Sequence, residues 1–267
     1  MIQNNQYINL AHSLDPSDAN KGKLISLSSG SGGVGKTLSA IYLSLFFQKL
    51  GKRALLLDCD LRGSNLNTVL GINDSYNINQ MVNDRLPIKT LVNKAPCGVS
   101  ILSSDAVLNN NTFDSNQKSI FISKLRILMM DYDIILLDTS SGLGEDSFFF
   151  NSIANLNIIV SSCDPHVLNN TYSFIKKQLN NLKPSNTYVL LNMSKSHREG
   201  YEYSQKLLNS CKHSSIIEVR SLGFIPYDPQ VFQAINLSQV GSEENVRTIA
   251  AQAWCQTAHK ILNTITD

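Results

Sequence analysis

Gly30-Ser31-Gly32-Gly33-Val34-Gly35-Lys36-Thr37 fits the pattern G-x-x-x-x-G-K-[ST]. It follows an apolar run, Leu24-Ile25-Ser26-Leu27-Ser28, that reads as a short strand. After it, Leu38, Ile41, Leu43, Leu45 and Phe46 recur at a spacing that predicts a helix over 37–50. Strand, glycine loop and helix together form the context in which this pattern binds phosphate. Glycines let backbone N–H groups converge on phosphate oxygens with no Cβ in the way. The helix N-terminus adds positive potential. Lys36 brings a point charge to the β- and γ-phosphates, and the Thr37 hydroxyl is a ligand for Mg2+. The expected nucleotide-binding segment is therefore Gly30, Ser31, Gly32, Gly33, Val34, Gly35, Lys36, Thr37 and Leu38. The complete pattern in this placement argues against a turn that merely joins a strand to a helix.

The rest of the chain repeats apolar run, turn and amphipathic segment. Residues 53–58 (RALLLD) read as a strand buried on both faces. Further strands are predicted over 99–102, 134–138, 157–161, 188–191 and 221–225. Helices are predicted over 117–130, 146–155, 168–182, 202–212 and 244–265. Strands alternating with helices predict an α/β fold, a doubly wound, mostly parallel sheet with helices on both faces. No repeat or linker interrupts it. The expected organisation is a leader, 1–21, followed by one P-loop domain, 22–267. Asn/Ser-rich 109–116 and 183–187 read as surface loops.

Composition bounds the function. A chain of 267 residues, 42% hydrophobic, can bury a sizeable core. Its net charge of +2 is no argument for nucleic-acid binding. No stretch of 18 consecutive apolar residues suggests a membrane span. The first residues lack the basic start and long apolar run of a secretory signal, so the expected address is cytoplasmic. The cysteines at 59, 97, 163, 211 and 255 are scattered, odd in number and without a C-x-x-C pair, as in a reduced compartment. Nothing in their local sequence activates one as a nucleophile. The histidines show no zinc-ligand spacing.

Two strands end in carboxylates. Leu55-Leu56-Leu57-Asp58-Cys59-Asp60 closes one with D-x-D, and Ile134-Ile135-Leu136-Leu137-Asp138 closes another. In an open α/β sheet the ligand sits at the carboxyl ends of the strands, so both clusters should face the phosphate loop. Asp138 reads as a second magnesium-organising group acting through water, and Asp60 as the residue that orients the attacking water. Asp58 reads as a holder of the metal hydration shell or of a switch backbone; capping the next helix is the competing role. Thr37, Asp58, Asp60 and Asp138 make up the expected metal set, and Lys36, Asp60 and Asp138 the expected catalytic set. Gly142 suits a segment that senses the γ-phosphate.

In these motifs the sequence resembles the MinD/ParA group of P-loop ATPases, whose phosphate loop is the deviant Walker A type. G-G-V-G-K-T, L-L-D-x-D-L with Asn65 following, and L-L-D-T-x-x-G-L occur in order at family-like spacing. Two later stretches resemble the flagellar-number (FlhG/FleN) subgroup: Asp164-Pro165-His166-Val167 through Lys176, and Leu222-Gly223-Phe224-Ile225-Pro226-Tyr227-Asp228-Pro229-Gln230-Val231. The resemblance implies ATP/ADP with Mg2+ and an ATP-dependent homodimer. By it, Asn192 contacts the adenine edge while Pro226 and Tyr227 wall the base. Without it, Asn192 is as readily a strand-end turn residue.

The chain also departs from the pattern. The family's signature lysine, directly before the paired glycines, is replaced by Ser31, and a hydroxyl cannot stand in for an ammonium reaching across a dimer. Losing such a charge-assisted contact costs about 1.5–3 kcal/mol. Arg62 is either a compensating charge or a solvated side chain. Asp58 to Arg62 also fits D-x-D-x-R, resembling bacterial tyrosine kinases, but no tyrosine follows Tyr227 to form their tail. Asn5-Gln6-Tyr7-Ile8-Asn9-Leu10 is either a degenerate segment for activating an FlhF-like GTPase or a polar leader. Relatives carry an amphipathic membrane helix at the C-terminus. Here Val246, Ile249, Ala253, Ile261, Leu262 and Ile265, with Trp254 and Ala258 adjoining, read instead as a stripe packed on the core.

The expected function is that of a MinD-like, ATP-binding regulator of flagellar number or placement. It would act through nucleotide-dependent dimerisation and partner binding, with weak ATPase activity and a polar address. The alternatives are a nucleotide-binding polar, secretion or pilus assembly factor with little hydrolysis, and a ParA-like positioning ATPase. The latter would need a basic surface that the sequence does not display.

Overall fold

A computed structural model of the protein describes residues 22–61, 66–72, 77–83, 86–104, 112–181, 186–213, 218–236, 239–242 and 244–266. The leader 1–21, Arg62 and Asn65 lie outside these residues, as do parts of both predicted surface loops.

The strands are β1 (Lys23–Ser29), β2 (Ala54–Cys59), β3 (Asn93–Lys94), β4 (Ser100–Leu102), β5 (Ile134–Ser141), β6 (Leu156–Ser162), β7 (Thr187–Ser194) and β8 (Val219–Pro226). They form one sheet in the order β3-β4-β2-β5-β1-β6-β7-β8. Every pairing is parallel except that of β3 with β4. The helices are α1 (Lys36–Lys49), α2 (Leu66–Leu70), α3 (Ile78–Asn83), α4 (Ser115–Asp131), α5 (Glu145–Ile153), α6 (Pro165–Asn181), α7 (His197–His213), α8 (Pro229–Asn236) and α9 (Ile249–Thr266). This is the doubly wound sheet that the sequence predicts.

The central strands are apolar on both faces because both faces are covered. Ile25, Leu56 and Leu136 belong to one core with Tyr42 and Phe47 of α1 and Trp254 of α9. Their neighbours Leu24, Leu55, Leu57, Ile135 and Leu137 belong to the opposite core with Phe121 of α4 and Phe149 of α5. Adjacent residues alternate between the two cores, as the period of a strand requires. Beyond β6, α6 and α7 extend the second layer through Phe174, Ile175 and Leu207.

Several helix boundaries differ from expectation, each for a local polar reason. α4 begins at Ser115, inside the stretch read as loop, because Asp114 and Gln117 form a capping box. The Asp114 carboxylate accepts from Gln117 N–H at 2.8 Å, and Gln117 Oε1 accepts from Asp114 N–H at 3.0 Å. α7 starts five residues earlier than predicted, where the Ser196 hydroxyl accepts from Glu199 N–H at 3.1 Å. α8 was not predicted, although Asp228-Pro229 carries a helix-start signal: the Asp228 carboxylate accepts from Gln230 N–H at 3.1 Å.

The helix expected over 244–265 is broken. A 3-10 turn, Asn245–Arg247, ends at Thr248, whose extended backbone (ψ 159°) interrupts the spiral. The Thr248 hydroxyl then accepts from Ala251 N–H at 3.2 Å and restarts the chain as α9. The core stripe shifts accordingly. Ala250, Ala251, Trp254, Ala258 and Ile261 are buried, whereas Ile249, placed in the predicted stripe, is 72% exposed. α9 packs on the core, as expected, but through a face centred on Trp254.

Candidate functional site

The phosphate loop leaves the carboxyl end of β1, the strand flanked by β5 and β6, where the strand order reverses. Gly33 and Gly35 hold φ of +74° and +81°, a region that favours glycine. Gly35 is the N-cap of α1, and no side chain caps that helix. The first helical bond closes from Ser39 N–H to Gly35 O at 2.9 Å. Residues Gly33 through Leu38 line a cavity of about 370 Å³ at this helix start, whose first amides have no intrahelical partner.

Lys36 is buried, and its Nζ donates to Asp138 Oδ1 at 2.6 Å. The other oxygen, Asp138 Oδ2, is buried with no hydrogen-bond partner. A buried carboxylate oxygen left unpaired is costly, so this one fits a donor or cation from outside the chain. Asp58 stands opposite Asp138 across the β2–β5 pairing. Its carboxylate accepts from Asp60 N–H at 3.1 Å and Ser104 N–H at 3.3 Å, so it holds the backbone at the end of β2. Asp60, two residues on, reaches the cavity wall. The end of β5 and the residue after it are tied to β1: the Thr139 hydroxyl donates to Leu27 O at 2.9 Å and Gly142 N–H to Ser29 O at 2.8 Å.

At the other end of the cavity are Asn192, Pro226 and Tyr227. Asn192 is buried and donates through Nδ2 to the Val34 carbonyl of the phosphate loop at 2.9 Å. Tyr227 is half exposed, its ring centroid 5.3 Å from that of Phe232. Trp254 is buried beneath them. Its Nε1 donates to Ser39 Oγ at 3.2 Å, and its ring stacks on Tyr42 with centroids 4.3 Å apart. Burial, with a smaller contribution from Asp228, pushes the Tyr42 hydroxyl up to about 12, so it stays neutral against Trp254.

The fold thus gathers Gly33, Val34, Gly35, Lys36, Thr37, Leu38, Asp60, Asn192, Pro226 and Tyr227 around one cavity, with Asp138 on Lys36. Asp58 lies behind this wall. Gly30, Ser31 and Gly32 are not among the residues that line it. The backbone of α6 passes so close to Gly30 that a Cβ there would stand 2.6 Å from Asn170 O. The Ser31 hydroxyl accepts from Asn170 Nδ2 at 3.1 Å. Ser141, Val231, Phe232, Ile235 and Trp254 also line the cavity and were not expected there. The stretch Leu222–Val231 held the clue, but only its Pro-Tyr pair had been read as site.

The cysteines do not compete for a role in chemistry. Burial pushes the Cys163 and Cys211 thiols up to about 11 and raises that of Cys59 well above its ordinary value, which keeps them protonated. Among the described residues no cluster of three His, Cys, Asp or Glu side chains could hold a metal. A divalent cation here would rely on Thr37, water and phosphate, the set typical of Mg2+. An uncapped helix end, a buried ammonium and an orphaned carboxylate oxygen suit a magnesium-bound nucleoside polyphosphate.

A glycine loop of this geometry at the switch point of such a sheet defines a P-loop nucleotide-binding protein. A family profile described as AAA domain (AAA_31) matches residues 22–191, and the chain belongs to that family, within the MinD/ParA group of P-loop ATPases. It is 26% identical over 240 residues to the antiactivator FleN of Pseudomonas aeruginosa, covering 90% of this chain and 86% of that one. It is 25% identical to the flagellum site-determining protein YlxH of Helicobacter pylori, covering 77% and 71%. The fold superposes on septum site-determining protein MinD complexed with Mg-ADP from Pyrococcus horikoshii with a TM-score of 0.71. That match has 22% identity and covers 92% of this chain and 99% of the other. Among the described residues, no helix is long and apolar enough to cross a membrane.

Proposed function

We propose that the chain is an ATP-binding switch that regulates the number or placement of flagella by binding protein partners according to its nucleotide state. The orphaned Asp138 Oδ2 beside Lys36 carries the nucleotide part of this reading. Likeness to YlxH, a flagellum site-determining protein, and to the antiactivator FleN supports the biological part.

Bound Mg2+ would supply charge neutralisation to the phosphates. Thr37 would hold it directly, and Asp138 through water. The loop amides and Lys36 would hold the β- and γ-phosphates, Lys36 trading its bond with Asp138 for them. Asp60, on the cavity wall, would orient the attacking water. Asn192, Pro226 and Tyr227 would hold the base. Gly142 and its neighbours, tied to β1 beside the loop, would report the γ-phosphate to a partner surface.

A second reading is favoured by one contact. Ser31, in the place of the family's signature lysine, is bonded to Asn170 of its own chain. It offers no charge to a partner's nucleotide. A nucleotide-binding protein with little hydrolysis and weak dimerisation follows from that. Turnover of MgATP by the parent and by Ser31→Lys separates the two: a clear gain in the variant supports the silent-site reading, and equal turnover rejects it. The flagellar assignment is tested by deleting the gene and counting flagella per cell. Unchanged number and position would sink it.

A further inference from the structure

Asn192 sits where two tasks meet. It lies near the end of β7, is 3% exposed, and its amide is engaged at both ends inside the protein. Nδ2 donates to the Val34 carbonyl at 2.9 Å, and Oδ1 accepts from Met193 N–H at 2.9 Å. The second bond fixes which way the amide faces. Met193 holds a φ of +57°, the only positive φ among the described non-glycine residues. That conformation is disfavoured for a side-chain-bearing residue and persists where its surroundings impose it. On the other side, a Cβ at Gly35 would stand 2.1 Å from Nδ2, so the amide lies against bare loop backbone.

Val34 and Gly35 are the two residues before Lys36. A loop with positive φ at Gly33 and Gly35 has much conformational freedom to lose, and it needs tethers to hold its amides converged. At the end of the loop the Ser39 hydroxyl also donates to Gly35 O at 2.9 Å, from within the first turn of α1. Two further side-chain bonds hold the loop's beginning. The Ser29 hydroxyl donates to Ser31 O at 2.9 Å, and Asn170 Nδ2 donates to the Ser31 hydroxyl at 3.1 Å. Both act at the start of the loop, and Asn170 is exposed. The Asn192 bond is buried and acts at the end that aims Lys36. A buried hydrogen bond holds geometry better than one shared with water.

We propose that Asn192 is a positioning residue for the phosphate loop, holding its last turn in the shape that receives phosphate independently of any contact with the base. This rests on the nucleotide-binding reading above. It predicts that Asn192 matters to a ligand that has no base.

The test is calorimetric titration of the parent, Asn192→Ala and Asn192→Ser with three probes in the presence of Mg2+: ATP, inorganic tripolyphosphate and adenosine. Losing one buried hydrogen bond should weaken tripolyphosphate binding by about three- to tenfold. The melting temperature of each variant and its amide exchange at Lys36 and Thr37 are measured alongside. Faster exchange confined to the loop, with weaker tripolyphosphate binding, supports the proposal. Full tripolyphosphate affinity with weakened ATP and adenosine binding overturns it, leaving Asn192 as a base contact alone. Parallel weakening of tripolyphosphate and adenosine with general acceleration of exchange also overturns it, since that is loosening of the whole domain. A parent that binds neither ATP nor tripolyphosphate overturns the nucleotide reading and this one together.

Discussion

Two helix N-termini in this molecule carry the same electrostatics and different chemistry. α4 begins with Asp114 and Gln117 closing on each other, so its first amides are satisfied by its own side chains. α1 begins with Gly35, at a φ of +81°, with no side-chain cap, and at a cavity that Gly35 itself lines. Both ends carry the partial positive charge of a helix dipole. The second suits a ligand, because among the described residues no side chain caps it and Lys36 stands in its first turn. The comparison teaches that a phosphate site is a helix start from which the usual cap has been withheld.

The comparison breaks most severely at Lys36. Replacing it with Ala removes the charge from the open end and leaves Asp138 buried without its ion pair. MgATP affinity should fall by about ten- to hundredfold, as expected for losing a charge-assisted contact, and equilibrium titration reads it. Gly35→Ala should come next. Its side chain must enter a space already held by Asn192, in a backbone conformation that costs about 1–3 kcal/mol for a non-glycine residue. A lower melting temperature together with lost MgATP binding is the expected outcome; binding at parental strength would show that the loop can re-form around a Cβ.

Asp114→Ala sharpens the contrast from the capped side. It should cost about 1 kcal/mol, a drop of roughly 2–4 °C in melting temperature for a chain of this size. MgATP affinity should be unchanged, and a change would mean that the two helix starts are coupled. The smallest effect belongs to the opposite end of the sheet, where Arg53 Nη2 and Asp133 Oδ1 meet at 2.6 Å on the surface. The hydrogen bond from Arg53 holds the Asp133 carboxyl below its ordinary 3.8. The sign follows from linkage: the folded-state value is depressed, so the contribution is present above the ordinary value and is lost as pH falls through the depressed one. Asp133→Asn should therefore leave melting at neutral pH nearly unchanged and flatten its decline in acid, with nucleotide affinity untouched. Screening by solvent makes this pair a weak one.

The sheet and the phosphate loop were legible because they rest on local rules. Apolar runs such as Leu55–Leu57 and Ile134–Leu137 declare a doubly covered strand wherever they occur, and a glycine pattern ending in Lys-Thr declares a phosphate loop. The end of the cavity at Asn192 and Tyr227 was not legible in the same way. Its floor is Trp254, over 200 residues from the loop, brought there by packing against Tyr42 of α1. Its wall includes Phe232 on α8, a helix of eight residues and too short for apolar periodicity to declare it. The last helix was drawn unbroken because periodicity continues through Thr248, and only the hydroxyl of that residue, accepting from Ala251, ends one spiral and begins another.

The sequence by itself determined the fold class, the phosphate loop, the carboxylates at two strand ends and the absence of a lysine at position 31. Each follows from residue type and short-range spacing, which act before the chain has a shape. Tertiary structure alone decided what those residues face. It set Lys36 on Asp138 and left the second oxygen of that carboxylate unpaired. It turned Asp58 onto backbone amides while bringing Asp60 to the cavity. It bonded Ser31 to Asn170 of the same chain and laid the Asn192 amide against the loop. These are contacts between residues more than forty positions apart, Asp60's amide excepted. Long-range contacts depend on where whole strands and helices pack, and no local pattern encodes that.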